Sequence, residues 1–236
     1  MNVIDLFSCL GSHALGLAIA GDYRTVAFCE RQEQRRRFLE LHYTGIPVHD
    51  DVRTFRGHRG QAELVIGGPP CQRTSVASAI SGNRTGESLW PDMLRICIDV
   101  GCEWVVVEQP PGNAAWEAQV AGDLAESGFH VARAEFAACD LGAPHIRRRV
   151  FILAHPCLSR LALAWQAIPS EIEGFARATI AGNHWLEGPP RTLRVVDRPP
   201  HRLDRTASIE AIGDSNPPGM ATVIGRAIMS ANSCHV

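Results

Sequence analysis

The segment GGPPCQ, residues 67 to 72, places a thiol on a tight Gly/Pro turn. An apolar run, AELVI, leads directly into it, so the turn should expose Cys71 at the end of a buried strand, where a nucleophile can be reached. A free thiol titrates at roughly 8.5, so the attacking thiolate needs a positive or polarised neighbour. Arg147, Arg149 or a loop amide dipole could supply it. Further along, the apolar run VVVE ends in Glu108. A carboxyl group there is partly desolvated, which should raise its pKa toward neutrality and let it donate to a ring nitrogen. An acid that simply opens a loop is the plainer alternative.

Two other acids close β-like runs: Glu30 ends TVAFCE, and Asp51 lies in VHDDVRTF. Glu30 stands where a ribose hydroxyl pair would be bound, and Asp51 where an adenine amino group would donate. The first loop, in DLFSCLGSHALGL, has the position of a nucleotide-binding turn but lacks a full GxGxxG. Each acid alone also fits a solvated loop carboxylate. Acids in register after successive strands point instead to an adenosine.

The elements that must hold these groups follow from the change of period along the chain. NVIDLFS, TVAFCE, VHDDVRTF, AELVIGG and EWVVVEQ read as strands; LGLAIAG, RQEQRRRFLELHY, WPDMLRICIDVGC and a stretch around 115 to 127 read as helices. FHVARAEFAA and RRVFILAH suggest an antiparallel pair at the sheet edge, and MATVIGRAIM an amphipathic helix. Alternating strands and helices imply an α/β fold with a doubly wound, mostly parallel sheet, which binds ligands at the carboxyl ends of its strands. Asp5, Glu30, Asp51, Cys71 and Glu108 all fall there. From Pro156 to about Arg205 the pattern breaks into Trp, Gly and Pro punctuation, which reads as a small irregular insertion.

Composition limits the function classes. Of the 236 residues 45% are hydrophobic and 20% charged, enough to build one sizeable core, which excludes disorder as the main state. No apolar run reaches the roughly 18 to 20 residues that cross a bilayer, and the opening MNVIDLFSCLG has no basic run, so a cytoplasmic protein without membrane contact is expected. The eight cysteines form no CxxC pair and no Cys/His cluster at zinc spacing, so neither disulfides nor a metal are expected. All 23 basic residues are Arg. Between His145 and Arg205 ten Arg face five acids, a local excess of positive charge suited to phosphate or base edges.

In order along the chain, DLFSCLG, GGPPCQ, VVVEQPPG, GAPHIRRRVFILA and IEAIGDSNPPGMATVIGRAI resemble the motifs of the DNA (cytosine-5) methyltransferase family. That resemblance implies a Rossmann-like S-adenosylmethionine domain, here 1–155 and 206–236, with a small target recognition insertion at 156–205. It implies that Cys71 adds to C6 of a cytosine flipped out of double-stranded DNA, and that Glu108 hydrogen-bonds N3 and the exocyclic amine. Arg149, and less directly Arg147, match the guanidinium pair near the base O2 and flanking phosphate. Phe7, Gly11, Glu30, Asp51 and Pro70 match cofactor-pocket positions, Leu89 and Trp90 an apolar wall of that pocket, and Ser215 a residue near the methionine carboxylate. The loop RTSVASAISGNRTGES, after Cys71, resembles the segment that closes over DNA.

Departures cluster near the same pocket. Cys9 and Ser12 stand where the family usually has Gly, His13 where an aromatic is common, Gln109-Pro110 where Asn-Val follows the acid, and His145 where Gln is usual. Extra polar groups there would suit a donor with a charged substituent, so carboxy-S-adenosylmethionine, giving 5-carboxymethylcytosine, is the alternative donor. The same motifs would also fit RNA-directed methylation or a non-catalytic DNA-binding member. The expected protein is a monomer of a bacterial or phage-host cytoplasm, with a short or degenerate target and insertion arginines such as Arg177 and Arg191 on phosphate.

Overall fold

Short β-branched and apolar runs extend into strands, and the glycines and prolines that close them turn the chain back as helices onto the two faces of the sheet. The computed structural model describes residues 1–70, 88–181, 211 and 213–233. Cys71, the loop 73–87 and residues 182–205 of the expected insertion, Arg191 among them, lie outside the described residues.

Among the described residues seven strands form one sheet in the order β3-β2-β1-β4-β5-β7-β6. They are β1 Asn2–Leu6, β2 Arg24–Cys29, β3 Val48–His49, β4 Leu64–Gly67, β5 Trp104–Gln109, β6 His130–Ala137 and β7 Arg148–His155. The first five run parallel, whereas β7 is antiparallel to both β5 and β6. This is the expected doubly wound Rossmann-like sheet with an antiparallel pair at one edge. Among the described residues six α-helices cover it: α1 Ser12–Ala20, α2 Glu33–His42, α3 Trp90–Val100, α4 Ala114–Glu126, α5 Leu158–Ala181 and α6 Pro218–Ser233.

Strand alternation splits the core into two layers. Ile4, Leu6, Val65, Val105 and Val107 pack with Trp90 and Met93 of α3 and with Val120 and Leu124 of α4. Val3, Ile66 and Val106 face the other way, onto Leu17 of α1, Leu161 and Ile168 of α5, and Met220 and Ile224 of α6.

Two segments differ from the sequence expectation. Leu158–Ala181, inside the stretch expected to be irregular, is one helix despite Pro169. Leu161, Ala164 and Ile168 are spaced three and four apart, so one face of the turn they generate is buried against the sheet. Helix α6, expected to be amphipathic, is buried nearly all round, from Met220 through Ala231. It lies against both α1 and α5, and Thr222 Oγ1 donates to Gly16 O at 2.9 Å.

That approach requires Gly16, because a Cβ there would sit 2.2 Å from Pro218 O and 2.7 Å from Ala221 Cβ. Gly16→Ala should therefore lower stability by about 1–3 kcal/mol, the cost of overpacking, although alanine alone favours a helix by about 1 kcal/mol. A Cβ at Gly174 in α5 meets nothing within 4 Å, so Gly174→Ala should stabilise slightly. Urea unfolding of both variants checks this; equal gains would contradict the packing.

Candidate active site

The carboxyl ends of β1, β2, β4 and β5 open onto a cleft of about 770 Å³, of the size that small-molecule ligands occupy. Phe7, Cys9, Glu30, Asp51, Pro70, Leu89, Glu108 and Arg149, all expected from the sequence, line it together.

The first loop is bent by Phe7 and Cys9, which both adopt left-handed φ values, 56° and 50°. Such geometry costs of order 1–3 kcal/mol per residue and persists only where surrounding bonds hold it. Here Ser8 Oγ donates to Asp5 O at 2.6 Å, and Cys9 N donates to Glu30 Oε2 at 2.9 Å. The other Glu30 oxygen accepts from Gln32 N at 2.8 Å. Glu30, itself buried, thus ties the loop after β1 to the turn after β2. Tyr43 Oη donates to Gly11 O at 2.9 Å and closes the loop from behind.

Asp51 is held by Arg53 through Nε and Nη2, the shortest contact being 2.6 Å. That hydrogen bonding holds its carboxyl down at about 2. At the other end of the cleft Glu108 is buried, and Arg149 Nε lies 2.5 Å from its Oε1. The contact is a close approach of charges rather than an aligned hydrogen bond, since Oε1 has no hydrogen-bond partner among the described residues. Gly68 leaves room for this carboxylate, because a Cβ there would lie 3.0 Å from Glu108 Oε2. Gln109 Nε2 donates to Pro69 O and so fastens the Gly/Pro turn that leads to Cys71 onto the end of β5.

Several expected site residues lie elsewhere. Trp90, fully buried, belongs to the core and donates from Nε1 to Asp123 Oδ2 at 2.8 Å; only its neighbour Leu89 reaches the cleft. Arg147, with a φ of 29°, turns away and donates through Nη2 to the carbonyls of Gly213, at 2.6 Å, and Ser215. Ser215 Oγ donates to Ala211 O at 2.8 Å and lies 3.3 Å from Cys9 Sγ. Burial pushes the Cys9 thiol up to about 11, so it stays protonated. Gly11 and Ser12 stand behind the loop, outside the cleft lining. His145 is exposed, and neither it nor His13 lines the cleft, so the histidines that suggested an extra charge beside the donor are not in place to provide it.

Groups that sequence reasoning passed over include Arg31, Arg35 and Arg53, in the cleft wall beside Asp214, which stands where the resembled family usually has Asn. Arg31 precedes the first residue of α2; the usable signal for Arg35 is its spacing to Phe38 and Leu39, three and four residues on, which puts it on the apolar face of that helix.

A family model for the C-5 cytosine-specific DNA methylase matches residues 1–167, more than half of the chain. The chain belongs to this family. Among relatives, the Type II methyltransferase M.HgiDI of Herpetosiphon aurantiacus is 27% identical over 165 residues, which cover 66% of this chain and 52% of that protein. M.DdeI of Desulfomicrobium norvegicum is 27% identical over 171 residues, 65% of this chain and 40% of its own length. The matched part of this family member thus spans about half of these relatives or less. In fold it is similar to the Spodoptera frugiperda DNMT2 crystal structure, with a TM-score of 0.54, 16% identity, and coverage of 67% of this chain and 51% of that one. No helix among the described residues of this family member is long and apolar enough to cross a membrane, and no group of His, Cys, Asp and Glu among them could hold a metal.

His13, on the inner face of α1, has its Nδ1 3.3 Å from Asp5 Oδ1. Burial opposes its charge, but the bond and charge of Asp5 outweigh that, so the imidazole titrates above its ordinary 6.5. A folded-state pKa above the unfolded one stabilises the protein below the unfolded value, and this contribution is lost as pH rises through the folded value. The stability advantage of the wild type over His13→Asn should therefore be present below about pH 6.5 and shrink at alkaline pH. Denaturant unfolding across that range checks it; an advantage that grows with pH would contradict the pairing.

Proposed function

We propose that the chain transfers a methyl group from S-adenosylmethionine to C5 of a cytosine flipped out of double-stranded DNA. The observation that carries this is the Glu108–Arg149 pair at the cleft end of β5, beside the turn whose next residue is Cys71. A base needs to leave the helical stack to reach such a pocket.

The residues fit the donor. A carboxylate has about four acceptor sites, so Glu30, with two taken by backbone N–H groups, can still accept from both ribose hydroxyls. Val52 and Leu89 offer apolar contact for the adenine ring, and Asp51 offers an acceptor for its amino group at the same wall. Bound there, S-adenosylmethionine would supply an electrophilic methyl group on a sulfonium.

The chain's own residues then do the rest. Cys71, as thiolate, forms a bond to C6 while Glu108, carrying a proton, gives it to N3 and accepts from the exocyclic amine, so that electron density moves to C5; C5 takes the methyl, and the broken C–S pair stays on the donor sulfur, which is left as a neutral thioether. Loss of the C5 proton to a base and departure of the Cys71 thiolate restore the ring. Arg149 reaches the same base from the antiparallel strand and balances the charge beside Glu108. Arg147 is a positioning residue, fastening the segment that carries Gly213 and Ser215 to the start of β7. Within the expected insertion, 156–205, we assign target recognition to the part that follows α5, with arginines on phosphate, in a protein that works as a monomer in a bacterial or phage-host cytoplasm.

Fluorine at C5 cannot be removed as a proton, so DNA containing 5-fluorocytosine should trap the wild type covalently. Cys71→Ala should give no adduct yet bind the donor within a few fold; an adduct in that variant would overturn the assignment. Glu108→Gln should lower turnover by about 10² to 10⁴, the span for losing a positioned acid. Near-normal turnover would make Glu108 a bystander.

A further inference from the structure

Helix α2 sends one guanidinium into the cleft. Arg35 is 8% exposed at its side chain, on the same helix face as the buried Phe38 and Leu39 three and four residues on. Burying an arginine this far is costly unless an anion meets it. Its described partner is Asp214, whose Oδ2 accepts from Nη2 at 2.6 Å. Asp214 is itself 62% exposed. The nearby Glu30 carboxylate favours the cation through its charge, but its hydrogen bonds run to Cys9 N and Gln32 N.

The fork is only half used. On one edge of a guanidinium, Nε–H and one N–H of Nη2 point in parallel, the arrangement that grips both oxygens of a carboxylate. Asp214 meets the Nη2 end, while Nε is buried with no hydrogen-bond partner among the described residues. A surface aspartate gains little from an exposed pair and can turn out to water at small cost, whereas Arg35 stays where its helix holds it. Asp214 therefore occupies the position of an exchangeable anion.

We propose that Arg35 binds a carboxylate of the donor through its Nε–Nη2 edge, displacing Asp214. This rests on the donor reading above. The carboxylate has two possible sources: the amino-acid part of S-adenosylmethionine, or the transferred group of carboxy-S-adenosylmethionine. The chemistry of recognition is the same.

Calorimetric titration of the full chain separates the cases. If the amino-acid carboxylate is bound, the wild type should bind S-adenosylhomocysteine about 10- to 100-fold more tightly than its decarboxylated analogue, the worth of a charge-assisted contact. If the carboxylate is on the transferred group, carboxy-S-adenosylmethionine should bind better than S-adenosylmethionine by a similar factor. In either case Arg35→Gln should abolish the preference, and Asp214→Asn, which removes the competing anion, should tighten the favoured ligand several fold. Equal weakening of every ligand in Arg35→Gln, or looser binding in Asp214→Asn, would overturn the proposal and leave the donor reading standing. A wild type that binds no S-adenosylhomocysteine would remove both.

Discussion

A carboxylate buried at the end of a strand has to meet a counter-charge, and the far half of the sheet is arranged to satisfy that need for Glu108. Strand β7 runs antiparallel to β5, with Glu108 opposite Phe151, so that Arg149, two residues along, arrives beside the carboxylate. Removing one member of such a buried pair typically costs about 3–5 kcal/mol, because the other is left without compensation. The antiparallel edge is thus more than a closure of the sheet: Arg149 is near the start of β7, and a strand parallel to β5 would need a long crossover and would begin at the opposite edge, away from this spot. Gly68 and the Gln109 bond to Pro69 then bring the Gly/Pro turn against the same carboxylate.

The near half of the cleft depends on a second acid used differently. Glu30 accepts two backbone N–H groups and in doing so fixes the strained bends at Phe7 and Cys9. One carboxylate therefore shapes the loop before any ligand arrives, and the ligand meets a surface already formed. Arginine supplies the opposing charge at Arg35, Arg53 and Arg149. Its flat fork can serve two acceptors at once, which a lysine ammonium does less well in a confined site.

The strands, their parallel order and the acids at their ends were legible because period two and strand-end position are strong signals, and Glu30, Asp51 and Glu108 do share one cleft. Side-chain direction was not legible. Leu89 and Trp90 are adjacent at the start of α3, where each residue turns the helix by about 100°, so Leu89 faces the cleft and Trp90 the core. His13, the second residue of α1, is turned inward to Asp5 by the same geometry. In α5, Pro169 and Gly174 obscured a buried stripe at Leu161, Ala164 and Ile168 that was present in the spacing. Asp214 is exposed and distant in sequence, and only the fold shows that it meets Arg35.

If the Glu108 end of the cleft receives cytosine, the DNA of cells expressing the chain should carry cytosine modified at C5. Mass spectrometry of nucleosides from the DNA of cells expressing the chain tests it most directly, since it reports both the base and the group added. A C5-substituted cytosine should appear with the wild type and disappear with Cys71→Ala and with Glu108→Ala. Unmodified cytosine in DNA from cells containing the folded wild-type protein, or a modification confined to another base, would contradict that reading of the cleft.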